Sequence, residues 1–250
     1  MIYAKEDEII NRDNINQILN YFAKEYRKNC GSTPIEILIV GGGSIIINYG
    51  FRYASRDIDA QINTKPSGLR ETIISVSDKL NLPDDWLNTD FMTLSSNSDK
   101  LSEVSVFYRS LNNNTINIRT IKGKYLIAMK MQSGREYGND IPDIIGILKE
   151  EKEIGHNITF EEIMESGRYL YSKFQVSDSL LKRVEKFCQM SIEELDAEYN
   201  KSVFLTEQIL ENVLLKKDNK EFNKASAKEL AQLIQSDLDS KEENLIDEIK

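Results

Sequence analysis

Short apolar runs bounded by turn residues, alternating with amphipathic stretches, predict an α+β fold over residues 1–155. The acidic, leucine-spaced chain that follows predicts a helical domain over 156–250. The expected architecture is a short mixed β-sheet flanked by helices, plus a C-terminal helical region. A chain of 250 residues accommodates one domain of ordinary size with such an appendage.

Each element follows from local pattern. Residues 14–28 form a helix, because Ile15, Ile18, Leu19, Phe22 and Tyr26 recur at helical spacing before the stop at Gly31. Pro34 opens the β-branched run IEILIV, a buried strand. Gly41-Gly42-Gly43-Ser44 follows, then a short helix ending near Gly50. After the loop FRYASR comes a second strand, Asp57–Ile62. Pro66 starts a helix to Leu80, and LPDDWLNTD reads as a turn-rich loop around the only tryptophan, Trp86. VSVFYRSL and TINIRTI are two strands joined by the turn Asn112–Asn114. Helices are expected at 124–133 and 141–151, then near 159–174, 177–188, 191–216 and 225–238.

Composition narrows the function classes. With 40% hydrophobic and 29% charged residues the chain can bury a core, which excludes disorder by composition. There is no apolar run of about 20 residues, so no transmembrane helix is expected. MIYAKEDEII lacks a basic segment followed by an apolar one, so no secretory signal is expected, and the expected location is cytoplasmic. Cys30 and Cys188 are too few for a disulfide framework, and the single His156 excludes a multi-histidine metal site. Residues 1–150 carry 18 basic against 19 acidic side chains, and 151–250 carry 14 against 22. A phosphate backbone would therefore be met by the first part, and the acidic helices suit self-solvation or a protein partner.

The segment IEILIVGGGSIIINYGFRYASRDIDAQI carries the chemistry. A strand running through glycines into a helix presents backbone N–H groups at a helix N-terminus, an anion cradle suited to a triphosphate. Fifteen residues after Gly42, Asp57 and Asp59 stand two apart on a strand and so project from one face. Paired carboxylates repel unless a cation lies between them, and Mg²⁺ or Mn²⁺ is the natural occupant. Phosphates on one element and a metal on its neighbour suit phosphoryl or nucleotidyl transfer. Two rival motifs fit less well. No lysine follows the glycines as a P-loop requires, and Ile46 stands where a dinucleotide fingerprint needs its third glycine.

Gly42-Gly43-Ser44 followed by Asp57-x-Asp59 resembles the motif of the DNA polymerase β-like nucleotidyltransferases. Arg52 and Arg56, together with KYLIAMKMQSGREYGNDIPDIIGIL, resemble the branch of AbiEii-type toxin nucleotidyltransferases, with Lys130, Arg135, Asp140 and Asp143 at matching positions. The resemblance spans about residues 35–150. It implies a nucleotidyltransferase core and metal-dependent transfer of a nucleotide from an NTP such as ATP to a macromolecular acceptor, tRNA or protein. It also implies an antitoxin-like partner. Gly42, Gly43 and Ser44 would hold the β- and γ-phosphates, with Arg56 also on the nucleotide. Asp57 and Asp59 would bind the metal and act in catalysis. Lys130 and Arg135 would meet the triphosphate or the developing charge, and Asp140 and Asp143 would orient those cations or cap a helix that Pro142 begins. The family's third carboxylate, on a later strand, has only Glu103 and Asp90 as candidates. The alternative is a catalytically weak module that binds nucleotide or a partner protein.

Overall fold

The computed structural model describes residues 10–134 and 139–218. The protein is α+β: a five-stranded mixed sheet flanked by helices, with a C-terminal helical region. Contacts divide the chain into two units. The first runs to Ser133 and takes in Ile158–Gln175; the second comprises Gly134–Asn157 and the chain from Val176 onward. The cut expected after residue 155 falls between the last helix of one stretch and the first helix of the next.

In the first unit, β1 (Ile10–Asn11) precedes the long helix α1 (Ile15–Cys30). β2 (Ile35–Ile39) then runs straight into α2 (Gly41–Asn48), so the glycines are the first turn of the helix and not a loop ahead of it. β3 (Ala54–Ser55) pairs with β1, with Ile10 opposite Ser55. β4 (Ile58–Ile62) follows, then α3 (Leu69–Leu80) and a two-residue strand β5 (Leu87–Asn88). A 3-10 turn at Asp90–Thr93 and α4 (Leu101–Val104) lead to the hairpin β6 (Val106–Leu111) and β7 (Ile116–Thr120). Three successive asparagines, Asn112 to Asn114, turn that hairpin at positive φ, which asparagine tolerates better than most residues. α5 (Gly123–Ser133) and α7 (Phe160–Leu170) pack together to complete the unit.

The sheet order is β5-β4-β2-β7-β6. β2 is central, antiparallel to β4 and parallel to β7. Its run of isoleucines matches that place. Ile35, Ile37 and Ile39 join Ile58, Ala60 and Ile62 of β4 and Ile116 and Ile118 of β7 in one core. Leu19, Phe22 and Tyr26 of α1 and Val76 of α3 close that core. Trp86 is wholly buried there, its ring edge-on to Phe22 at 6.0 Å and its indole N–H bonded to the Ile73 carbonyl at 3.0 Å. The tryptophan is thus a core anchor. It also explains why the expected loop contains a strand: the Trp86 carbonyl accepts from the Ile58 N–H at 2.6 Å and starts the parallel pairing of β5 with β4.

The second unit is helical. α6 (Asp140–Glu153) buries Ile144, Ile145, Ile147 and Leu148, and packs against α8 (Asp178–Gln189) and α9 (Ile192–Asp218). Lys149 of α6 is bonded to Asp196 of α9, which raises the lysine above its ordinary range. The helix expected at 225–238 lies outside the described residues. Among the described residues no helix is long and apolar enough to cross a membrane.

Candidate functional site

The glycine turn and the aspartate strand meet at one end of the sheet. Gly41 begins α2 at φ +56°, a left-handed conformation that costs glycine nothing and other residues about 1–2 kcal/mol. The N–H of Val40, just before it, bonds to the Asp59 carbonyl at 2.9 Å and ties the turn to β4. The Asp59 carboxylate reaches the same turn. Its Oδ2 lies 3.1 Å from where a β-carbon on Gly41 would stand. The other two glycines serve close packing. A β-carbon on Gly42 would come within 2.6 Å of Ser55 Oγ and 3.0 Å of Arg52 Nη2, and one on Gly43 would meet Ile39 Cγ2 at 2.9 Å. Helix geometry leaves the first amides of α2 without intrahelical acceptors, so the turn supplies N–H dipoles beside a carboxylate.

Asp57 stands one residue ahead of β4, and along that strand Ile58, Ala60 and Ile62 are buried while Asp59 and Gln61 are half-buried. This alternation puts Asp57 and Asp59 on one side of the strand. The Asp57 carboxyl is held above the usual aspartate range, first by burial and then by the charge of Asp85. An Asn88 hydrogen bond and the charges of Arg56 and Arg52 work in the opposite direction. Asn88 Nδ2 donates to Asp57 Oδ2 at 3.2 Å. Arg56 is exposed, and Arg52 is half-buried with its Nε donating to the Ala54 carbonyl at 3.1 Å.

Ser44 requires a correction. Its side chain is fully buried, its Oγ donates to the Ile121 carbonyl, and the Ile121 N–H donates back to it at 3.0 Å. Its own N–H goes to the Val40 carbonyl at 3.2 Å. The hydroxyl therefore fastens α2 to the end of β7 and is not turned toward a phosphate. Asn48 strengthens the same junction through the carbonyls of Ser44 and Ile121, at 2.8 Å and 3.2 Å.

The remaining predicted residues are spread more widely. Lys130 is buried in α5, and so is not a lysine of the wet helix face. Glu103 lies on α4 and accepts a bond from the Tyr169 hydroxyl of α7. Asp90, the other candidate third acid, gives its backbone N–H to Asn88 Oδ1 at 3.1 Å. Asp140 and Asp143 are buried in the first turn of α6 and belong to the second unit. Arg135 lies outside the described residues. In the second unit His156 Nδ1 lies 2.6 Å from Glu151 Oε2. Burial pushes the Cys188 thiol up to about 11.

The later strand that flanks β4 is β5, with Asn88 in register with Asp59. The later strand thus contributes an amide beside the pair where the sequence reading looked for a carboxylate at Glu103. Among the described residues there is no group of three or more His, Cys, Asp or Glu side chains that could hold a metal. The acid that acts on the Asp57 carboxyl is Asp85, while the Asp59 carboxylate lies against Gly41. Asn88 and Ser55 escaped the sequence reading. The usable signal was Trp86-Leu87, an apolar pair inside an otherwise polar segment that marks a short buried strand. Comparison of the chain with protein-family models, with curated proteins and with solved structures finds no match in any of the three.

Proposed function

We propose that the first unit binds a magnesium nucleoside triphosphate and transfers its nucleotide to a macromolecular hydroxyl. The observation that carries this reading is the approach of the Asp59 carboxylate to the Gly41 turn, with Oδ2 3.1 Å from the space a side chain would take. A carboxylate pressed against helix N-terminal amides makes a polar site with both signs of partial charge at one place. The amides of Gly42 and Gly43 would face phosphate oxygens, and Arg52 and Arg56 would add cationic charge on the same side. Asp57 and Asp59 would hold the cation, which when bound neutralises the phosphates and polarises the reacting phosphorus. Burial and Asp85 disfavour the bare charge of Asp57, a cost that a bound cation would relieve. The acceptor is tRNA or protein in the toxin-like reading, with an antitoxin-like partner for the acidic helices.

A second reading, binding without transfer, draws on Asn88. An uncharged amide in register with Asp59 leaves two acids where a stronger catalyst would have more anionic charge. One experiment separates the two. The protein is incubated with radiolabelled NTPs, Mg²⁺ and total RNA or lysate, beside the double variant Asp57→Ala/Asp59→Ala. Label transferred by the wild type and lost in the variant supports the enzyme. Saturable Mg²⁺-dependent nucleotide binding without transfer supports the module, and absence of both overturns the nucleotide reading.

A further inference from the structure

β1 and β3 form a two-stranded ribbon separate from the five-stranded sheet. Its ladder pairs Ile10 with Ser55 and Asn11 with Ala54, so Arg12 leaves one strand where Tyr53 enters the other. Arg56 follows β3 directly. Arg12, Tyr53 and Arg56 are all exposed, Tyr53 at 71%. Among the described residues the two arginines make no ion pair, and Tyr53 makes no hydrogen bond or ring contact.

The backbone beneath these side chains is braced. Asn11 Oδ1 accepts from the N–H groups of Asp13 and Asn14 at 3.0 Å and 2.9 Å, and Asn14 Oδ1 accepts from the Asn11 N–H at 2.8 Å. Arg52 Nε donates to the Ala54 carbonyl at 3.1 Å, a bond that spans Tyr53. A ring held out on a braced bend loses little freedom when a partner stacks on it. The charge around it favours an anion. Arg12, Arg52 and Arg56 outnumber Asp13 and the half-buried Asp57 in these two segments, on a chain whose net charge is −9. A bare π-face among guanidinium groups suits single-stranded nucleic acid, whose unpaired bases stack on aromatic rings while arginines hold the phosphates. An acidic polypeptide would match the charge and leave the ring without a planar partner.

We propose that the β1–β3 ribbon is a docking surface for single-stranded nucleic acid, with a base stacked on Tyr53 and the flanking phosphates held by Arg12 and Arg56. The ribbon abuts the glycine turn, where Ser55 Oγ stands 2.6 Å from the β-carbon position of Gly42. The inference goes beyond the nucleotide reading and does not need it, since Tyr53 and Arg12 have no part in that reading.

Fluorescence anisotropy of the full chain with short labelled RNA and DNA strands, without Mg²⁺ or nucleotide, provides the test. Wild type should bind a single strand about tenfold or more tighter than the matching duplex, whose bases are already stacked. Tyr53→Ala should weaken binding about fivefold or more, and Tyr53→Phe should keep it. Arg12→Gln should make the salt dependence shallower by about 0.7 in log–log slope. Arg168→Gln removes a cation already paired with Glu161 and should change neither quantity. Binding of either strand supports the proposal, and the tighter of the two names the partner. Equal affinity for the duplex overturns it, as does Tyr53→Ala at wild-type affinity. Polyglutamate displacing the strand as effectively as unlabelled strand does would assign the ribbon to an acidic protein and overturn it too. Circular dichroism identifies a misfolded variant, and Tyr53→Leu replaces Tyr53→Ala in that event. Failure here leaves the nucleotide reading to the Mg²⁺-dependent labelling assay.

Discussion

Asp57 is more readily protonated in the folded chain than in the unfolded one, since burial and Asp85 lift it above its ordinary value of 3.8. The linkage sign follows from proton counting. Above the ordinary value the folded state binds the extra proton, so stability falls as pH rises through the window up to the raised value, and below that window the effect is gone. Asp57→Asn should therefore raise the melting temperature at pH 7, with the gain shrinking as the pH falls through the raised value and gone below about 4. Thermal melts of both proteins between pH 3 and 8 check this. A gain that is flat with pH would show that the charge of Asp57 costs the fold nothing. Gly41→Ala tests the other half of the site. The left-handed φ should cost about 1 to 2 kcal/mol, read from the urea midpoint, and the added methyl should displace the Asp59 carboxylate. Mg²⁺-nucleotide binding should then fall more than stability alone explains. Both aspartates and the glycines were legible in the sequence, because i and i+2 on a strand and glycine at a tight turn are local rules. The role of Ser44 was not. Its partner Ile121 lies far along the chain, and a serine after glycines carries no mark of which way its hydroxyl points.

At the scale of elements, the contact between α2 and the end of β7 rests on that serine. Ser44→Ala would leave the buried Ile121 N–H without its partner, at a cost of about 1 to 3 kcal/mol. Chemical denaturation measures the loss, and a change below a few tenths would show that the junction is held by packing instead. The α7 start is secured by a reciprocal capping box. Thr159 Oγ1 accepts from the Glu162 N–H, and Glu162 Oε2 accepts from the Thr159 N–H at 3.0 Å. Thr159→Ala should cost about 1 kcal/mol in the same assay. Long periodic segments such as α1 and β2 could be read from the sequence because burial repeats every few residues. β5 is only two residues long, and the Trp86-Leu87 pair was its one local mark, the strand itself being defined by its pairing with β4. The start of α2 was also displaced in the reading. Glycine is a poor helix former, and here the close approaches of Ser55, Arg52 and Ile39 make it obligatory in the first turn.

At the scale of the molecule, contacts assign α6 to one unit and α7 to the other, although they are neighbours in sequence. α7 packs on α5, Ser98 Oγ bonds to the Leu170 carbonyl at 2.6 Å, and the Tyr171 hydroxyl bonds to the Ser96 carbonyl at 2.7 Å. A chain truncated after residue 155 lacks these partners. It should lose the cooperative thermal transition and aggregate, whereas the full chain melts cooperatively, as light scattering and circular dichroism would record. A soluble, cooperatively melting 1–155 fragment would mean that α7 is dispensable to the sheet. The periodicity of each helix was evident in the sequence, but its allegiance was not, since both helices are amphipathic and neither advertises its partner.

That interleaving has a consequence for biosynthesis. A ribosome releases α5 long before it releases α7, with α6 in between. Through that interval the apolar flank of α5 has no sequence-encoded cover. The nascent chain must therefore wait, or be shielded, until about 175 residues have left the exit tunnel, and the first unit is completed late in translation rather than domain by domain.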